Sequence, residues 1–185
     1  MALSLAALRL IAERGWDHVT VEDIAAAANV SERTFRNYFS SKAEAIASRH
    51  VERTLQIAEE LRARPAAEPL WDAISHAVRA QYAPGDGPPP DRRWLDALRL
   101  MLAEPALQAE ALRAGAAAQG ALATAVAERT GTDATRDLYP NLVAAAVGAT
   151  TAATLDHFMR AVPPVPLGPL LAGAFDQLAR GFPVP

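Results

Sequence analysis

Residues 20–42 read TVEDIAAAANVSERTFRNYFSSK and carry the strongest structural signal in the chain. They divide into two short helical segments. Thr20 is a favoured N-cap residue, and Asp23, three positions later, completes a capping pattern for the first segment. Asn29 tolerates left-handed backbone, and Ser31 can cap the second segment. Two capped helices joined by so short a turn predict a helix-turn-helix.

The second segment, residues 32–39, sorts its side chains into faces because successive residues turn by about 100° in a helix. Phe35 and Phe39 lie four positions apart and form the face that can be buried. The other faces carry side chains able to bond base edges or phosphates, namely Arg33, Thr34, Arg36, Asn37 and Tyr38. A solvated helix pair without a ligand is the alternative, but no acidic residue occurs from 33 to 43. The pattern favours DNA binding by this segment, the recognition helix.

The expected DNA contacts fall into two groups. We assign base edges in the major groove to Arg33, Arg36 and Asn37. We assign phosphates to Thr20, Thr34, Tyr38 and Lys42. Lys42 lies in the first turn of the next helix, whose N-terminal N–H groups could also receive a phosphate.

The chain resembles the TetR family of bacterial transcriptional regulators in three places. These are AALRLIAERG at residues 6–15, TVEDIAAAANVS at 20–31 and RTFRNYFSSK at 33–42. The resemblance implies a homodimeric, all-helical repressor with an N-terminal DNA-binding domain and a C-terminal domain that binds a small inducer and dimerises. In addition, RRWLDALRLMLAEPAL at residues 92–107 is similar to an actinobacterial C-terminal domain type that includes the mycofactocin-linked regulator. Some members of that type respond to acyl-CoA thioesters.

Composition bounds the class of protein. The chain has 185 residues, 51% of them hydrophobic, and no strand-like alternation, which predicts an all-α protein of one or two domains. Cysteine is absent, so disulfides and thiolate metal sites are excluded and a reducing cytoplasm fits. We recognise neither a secretory signal peptide nor an apolar run of about 18 residues. A soluble, cytoplasmic protein without a membrane partner is therefore expected.

Charge argues weakly against DNA binding. The formal net charge is −3, and the basic and acidic side chains of residues 1–50 balance. The basic ones are Arg9, Arg14, Arg33, Arg36, Lys42 and Arg49, and the acidic ones are Glu13, Asp17, Glu22, Asp23, Glu32 and Glu44. We therefore expect modest nonspecific affinity, with specific binding relying on the recognition helix and on dimerisation.

Helix and breaker signals divide the rest of the chain. A first helix is predicted at residues 3–14, with Trp16 and Val19 closing a small core beneath the helix-turn-helix. Further helices are predicted at residues 41–64, 70–83, 91–103, 105–130, 136–161 and 169–181, with a loop rich in proline and glycine at 84–90. We place a three-helix helix-turn-helix DNA-binding domain at residues 1–45. A six-helix ligand-binding and dimerisation domain follows at residues 46–185.

Bulky aromatic and isolated polar side chains recur in the predicted helices of the second domain. The candidates for a small-molecule site are Trp71, His76, Tyr82, Trp94, Met101 and Phe158. The same residue types at helical spacing also build ordinary cores, and that alternative stays open. The expected ligand is an apolar or acyl-bearing inducer.

Residues 142–154 read LVAAAVGATTAAT, a run so rich in small residues that none of its helical faces is strongly polar. Such a helix needs packing partners on several sides. The last predicted helix repeats the feature with Leu170, Leu171, Gly173, Ala174, Phe175 and Leu178. We predict a homodimer in which the last two helices of each subunit form a four-helix bundle. The alternative is that residues 142–154 are the central helix of the inducer domain.

Catalytic chemistry finds little support in the sequence. The four histidines are scattered, and His76 follows Asp72 by one helical turn, which is usually an ordinary intrahelical contact. No phosphate-cradling glycine loop or nucleophile elbow occurs. We expect no enzyme activity, no catalytic residues, no cofactor and no metal. A small helical binding protein or enzyme with a coincidental helix-turn-helix is the alternative to a ligand-responsive repressor of palindromic operator DNA.

Overall fold

The computed structural model describes residues 2–83 and 91–182. Every regular element in these ranges is helical, which confirms the predicted all-α class. The α-helices are α1 (Ala2–Arg14), α2 (Val21–Ala27), α3 (Glu32–Tyr38), α4 (Lys42–Ala63), α5 (Leu70–Gln81), α6 (Arg92–Leu102), α7 (Pro105–Thr130), α8 (Leu138–Arg160) and α9 (Leu167–Ala179). A short 3-10 turn at Trp16–His18 separates α1 from α2. The loop predicted at residues 84–90 lies outside the described residues.

Helix ends differ from the sequence prediction by at most two residues. α8 begins at Leu138 rather than 136 because the preceding residues form a turn, in which the Asp133 N–H donates to Asp137 Oδ2 at 2.8 Å. α9 begins at Leu167, before Pro169. Proline fits there because the first turn of a helix leaves its N–H groups without intrahelical partners.

The described chain forms two compact units. The first contains α1 to α3, α4 as far as Glu52, α6, and α7 as far as Ala116. Its core consists of Ala7, Leu10, Ile11, Val19, Ile24, Ala25, Phe35, Ala45, Ile46, Ala47, Met101 and Leu107. Val19 is buried and Trp16 packs against this core, as the sequence predicts.

The second unit contains α4 from Arg53 onward, α5, α7 from Ala117, α8 and α9. α9 packs against both α5 and α8. The core of this unit includes Ile57, Leu61, Ile74, Val78, Leu122, Val126, Val143, Val147, Leu171 and Phe175. The domain boundary predicted at residue 45 remains a prediction. α6 and the start of α7 belong to the same compact unit as the helix-turn-helix.

α8 departs from one expectation. By length and composition alone it could cross a membrane, whereas the sequence predicts no apolar run of that length. One such helix is weak evidence, because the core helix of a soluble protein passes the same test. Val143, Ala144 and Val147 on this helix are buried in the second core, and 33% of its most apolar window is buried.

Candidate nucleic-acid interface

A reciprocal capping box starts α2. The Asp23 N–H donates to Thr20 Oγ1 at 3.1 Å, and Asp23 Oδ2 accepts from the Thr20 N–H at 2.8 Å. The Thr20 hydroxyl also donates to Asp23 Oδ2, and this bond is the main reason why the pKa of Asp23 is lowered. The predicted cap is therefore confirmed, and it satisfies N–H groups that would otherwise be orphaned at the helix end.

The turn between α2 and α3 is held by its own backbone and by Ser31. Asn29 adopts the left-handed conformation with φ 57°, as predicted. The Val30 N–H then donates to the Ala25 carbonyl at 2.9 Å, and Ser31 Oγ accepts from the Thr34 N–H at 3.1 Å. These bonds set the angle at which α3 leaves the turn.

α3 has the predicted buried and exposed faces. Phe35 is fully buried, and the Phe39 ring lies 5.7 Å from it, centroid to centroid. Arg33, Arg36, Asn37 and Tyr38 are exposed, and the Tyr38 side chain is 70% exposed. Four of the seven predicted DNA contacts are therefore exposed on this helix.

Arg36 is paired with Glu32, a contact that is not among the sequence predictions. Its Nε and Nη2 groups both donate to Glu32 Oε1, at 2.9 and 2.6 Å. Glu32 precedes the acid-free stretch by one residue, and the spacing of four positions is the available signal for this pair. In the part of the chain that the structure describes, Arg33 and Asn37 make no ion pair or side-chain hydrogen bond.

Thr34 and Lys42 are already bonded within the protein. The Thr34 and Ser31 hydroxyls share a hydrogen bond of 2.9 Å. Lys42 Nζ donates to the carbonyl of Val19 at 3.0 Å and to that of Trp16 at 2.5 Å. The same ammonium lies 4.5 Å from the centroid of the Trp16 ring. Lys42 therefore ties α4 to the segment between α1 and α2.

The N-terminus of α4 is occupied by a carboxylate from its own first turn. Ser41 Oγ accepts from the Glu44 N–H at 3.1 Å, and Glu44 Oε2 accepts from the Ser40 hydroxyl and N–H at 2.6 and 2.7 Å. These bonds from Ser40 lower the pKa of Glu44. Because Glu44 is negative and already in place, this helix end is a poorer phosphate site than the sequence suggests.

The six candidate ligand residues are divided between the two units. Trp94 and Met101 belong to the first, where Met101 is buried in the core. Trp71 and Tyr82 both pack against the core of the second unit, and Phe158 is half-buried on α8. His76 is exposed on α5. Of the candidates in the second unit, Trp71 and Tyr82 pack against the same hydrophobic cluster.

His76 pairs with Glu68 rather than with Asp72. Its Nδ1 lies 2.7 Å from Glu68 Oε1, and the same carboxylate accepts from Arg64 Nε and Nη2 at 2.7 and 2.8 Å. The Arg64 bonds are the main cause that lowers the pKa of Glu68 to about 2. Arg129 donates to the backbone carbonyls of Pro65 and Glu68, at 2.6 and 2.7 Å, and so holds the segment between α4 and α5.

Tyr82 also has a charged neighbour that the sequence did not reveal. The Arg53 guanidinium lies 4.3 Å from the centroid of the Tyr82 ring. Burial raises the pKa of the Tyr82 phenol. The second core therefore has a stacked cation and a phenol at its edge, a mixture that suits a ligand with both apolar and polar parts.

An open groove of about 680 Å³ lies between α8 and α9. It is lined by Ala149, Thr150, Ala153, Thr154, His157, Pro169, Leu170, Gly173, Ala174, Gln177 and Phe182. Most of these side chains are small or apolar, and all but Phe182 belong to the two helices predicted to dimerise.

Comparison with known proteins agrees with this architecture. Residues 5–47 match the family model for bacterial regulatory proteins of the tetR family, and residues 68–183 match the model for the MftR C-terminal domain. The chain belongs to the TetR family. This TetR-family protein is 34% identical over 143 residues to the HTH-type transcriptional regulator TcmR of Streptomyces glaucescens. The alignment covers 75% of this chain and 63% of TcmR, so the chain spans less than two thirds of that relative's length.

Two solved structures show weaker likeness. A TetR-family regulator from Streptomyces coelicolor has a TM-score of 0.43 and 20% identity, with 98% of this chain and 92% of that chain covered. The TetR-family transcriptional regulator PfmR from Thermus thermophilus has a TM-score of 0.43 and 18% identity, with both chains fully covered. At these TM-scores the likeness has no bearing on function.

Proposed function

We propose that this TetR-family protein is a cytoplasmic, ligand-responsive transcriptional repressor that binds palindromic operator DNA as a homodimer. The observation that carries the proposal is the exposed face of α3. The buried face of α3 is anchored by Phe35, and both α2 and α3 begin at a side-chain N-cap. The outer face of α3 presents Arg33, Arg36, Asn37 and Tyr38 to solvent. A rigidly held helix with donors on its outer face suits the major groove.

The roles proposed for these residues follow from their surroundings. Arg33 and Asn37 are free to reach base edges, and Arg36 joins them from its ion pair with Glu32. Tyr38, Thr20 and Thr34 are proposed to bind phosphates through their hydroxyls. Lys42 is proposed to do the same with the third of its ammonium donors, since two are taken by carbonyl groups.

The proposed dimer uses the groove between α8 and α9. Ala149, Ala153 and Gly173 line it, and small side chains let helices of a second subunit approach closely. Two recognition helices held about 34–36 Å apart, or a multiple of that distance, can read a palindrome that a single helix binds weakly.

The proposed inducer site lies in the second unit, beside Trp71, Tyr82 and Phe158. Arg53, stacked on Tyr82, is a cation that could receive the polar end of an acyl-bearing ligand, while the neighbouring core receives its chain. His76, Trp94 and Met101 were proposed on sequence grounds, and their positions lend this role no added support. The inducer would act through α4, which belongs to both units.

A gel-shift experiment with the promoter regions that flank the gene tests this function. We expect the purified protein to retard at least one fragment, with competition by the same unlabelled fragment and none by a shuffled duplex of equal length. Retardation of no fragment, or equal competition by the shuffled duplex, would reject a sequence-specific regulator. TetR-family regulators are generally not enzymes, and no enzymatic role is proposed.

Tryptophan fluorescence tests the inducer class separately. Trp71 is one of three tryptophans in the chain and packs against the second core. Titration with a long-chain acyl-CoA should change the emission and release the retarded fragment, whereas free coenzyme A should do neither. An acyl-CoA that changes neither signal would exclude this class of inducer.

A further inference from the structure

The ion pair on the outer face of α3 has an unusual geometry for a DNA-reading arginine. Both donated bonds from Arg36, from Nε and Nη2, end on the same oxygen, Glu32 Oε1, at 2.9 and 2.6 Å. Two of the five guanidinium N–H groups are thereby used, and three stay available to a ligand. The pair is exposed on both sides, with side-chain accessibilities of 58% for Arg36 and 45% for Glu32.

This geometry limits what Arg36 can do at a DNA surface. A free arginine finds phosphates easily, because they line both strands and attract any cation irrespective of sequence. Here the guanidinium is oriented along the helix by a carboxylate, and its charge is partly compensated. The carboxylate itself repels phosphates. What remains favourable is a directed contact with acceptors on a base edge, such as O6 and N7 of guanine.

The other charge on α3 makes the Glu32–Arg36 pair more important for nonspecific DNA binding. Arg33 is the other cation of α3, and it makes no ion pair within the described residues. Nonspecific attraction from this helix therefore depends mainly on Arg33, while Arg36 is held by Glu32. Removing the Glu32 charge would free a second cation for any phosphate within reach.

We propose that Glu32 is a specificity-determining positioning residue, which holds the Arg36 guanidinium for a base edge and disfavours its binding to the phosphate backbone. The inference rests on the proposed function, because it concerns how α3 discriminates between operator and other DNA. It adds a residue outside the predicted contact set, and it assigns that residue a negative role, the rejection of wrong sequences.

The test compares the full-length protein with Glu32→Gln, which keeps the side-chain shape and removes the charge. Wild type is first used to enrich a binding sequence from a pool of random duplexes. Dissociation constants are then measured for that sequence and for a shuffled duplex, at several salt concentrations. We expect Glu32→Gln to bind the shuffled duplex more tightly and to lower the ratio of specific to nonspecific affinity roughly tenfold, comparable to the loss of one base-pair contact.

Two further variants separate positioning from net charge. Glu22→Gln removes an exposed carboxylate from α2 and should change both affinities together, leaving their ratio unchanged. Arg36→Ala should lower the ratio by itself, and adding Glu32→Gln to it should lower the ratio no further, since there is no guanidinium left to position. Circular dichroism of each variant checks that the helices are intact.

The outcomes are distinguishable. If wild type enriches a sequence and Glu32→Gln keeps the wild-type ratio, the role of Glu32 is refuted while the proposed function stands. If the ratio falls equally in the Arg36→Ala background, Glu32 does not act through Arg36 and the inference is also refuted. If wild type enriches no sequence, the proposed function fails and this inference fails with it.

Discussion

The ammonium of Lys42 lies 4.5 Å from the centroid of the Trp16 ring and donates to the carbonyl oxygen of the same residue. A second bond reaches the carbonyl of Val19 at 3.0 Å. One side chain at the start of α4 thus satisfies two backbone acceptors that precede α2. The position of α2 within the helix-turn-helix depends in part on this contact.

Lys42→Met should therefore destabilise the protein as well as weaken DNA binding. Charged hydrogen bonds and a partly buried cation–π contact together suggest a loss of about 1–3 kcal/mol in the free energy of unfolding, measured in urea. Arg33→Met removes an unpaired cation from the same unit and should leave that free energy nearly unchanged. Equal stability of the two variants would show that the Lys42 contacts contribute nothing.

Ser31 determines where α3 begins. Ser31→Ala removes the oxygen that accepts from the Thr34 N–H, and the loss of an N-cap costs ~0.5–2 kcal/mol. Ser31→Asp keeps an acceptor and should retain most of the stability. Urea denaturation followed by circular dichroism measures both. A Ser31→Ala variant as stable as wild type would mean that the turn alone starts the helix.

The exposed face of α3 predicts two kinds of binding defect. Arg33→Ala should cost about 1–3 kcal/mol against the enriched sequence and relax the preference at one base position. Tyr38→Phe removes one hydroxyl and should weaken all sequences by a similar factor. Binding to a set of single-base variants of the site distinguishes the two patterns, and identical patterns would contradict the division of roles.

Glu68 predicts a pH dependence of stability. Its bonds with Arg64 lower its pKa in the folded state to about 2, below the ordinary value of 4.5. A depressed carboxylate pKa stabilises the fold above pH 4.5, and this stabilisation is lost as the pH falls from there through about 2. Glu68→Gln should accordingly have a lower urea midpoint than wild type at pH 7, and the difference should shrink at pH 4 and again at pH 3.

A matched control for Glu68 is Glu59→Gln. Glu59 likewise pairs with an arginine, Arg62, but the Glu59 side chain is 75% exposed. Exposed pairs contribute little, so its midpoint should stay close to wild type at each pH. A Glu68→Gln difference that is constant from pH 7 to pH 3 would be inconsistent with titration of this carboxylate.

The groove between α8 and α9 predicts the effect of a charge in the dimer seam. Gly148 on α8 has no atom within 4 Å of an added Cβ, and Ala174 on α9 lines the open groove. A glutamate at either position should therefore leave the subunit folded. Burial of the unpaired carboxylates in a dimer should cost roughly 3 kcal/mol or more, about a hundredfold or more in the dimer dissociation constant. Light scattering after size exclusion should show monomers, which lose operator binding.

Gly120→Glu is the control for the seam. Gly120 is an exposed glycine on α7 with no atom within 4 Å of an added Cβ, so the substitution makes the same chemical change outside the groove. This variant should dimerise like wild type. A folded Gly148→Glu or Ala174→Glu protein that is dimeric and binds with full affinity would place the interface elsewhere.

Local sequence was sufficient for the helix-turn-helix because its specifying bonds span few residues. The Thr20 and Asp23 capping box, the left-handed Asn29 and the Ser31 cap each involve neighbours at most three positions away. Helix ends were likewise predictable to within two residues, since capping groups and prolines affect the backbone close to their own positions. The two faces of α3 follow from the same helical periodicity.

The partners of the long charged side chains were decided by the tertiary structure. Lys42 bonds a carbonyl 26 residues away, and Arg129 bonds one that is 64 residues away. Such contacts depend on which segments pack together, and the spacing of side chains along the sequence does not predict that packing. For the same reason the sequence could name Trp71 and Tyr82 as apolar candidates, but only packing placed them at one core and Met101 at another.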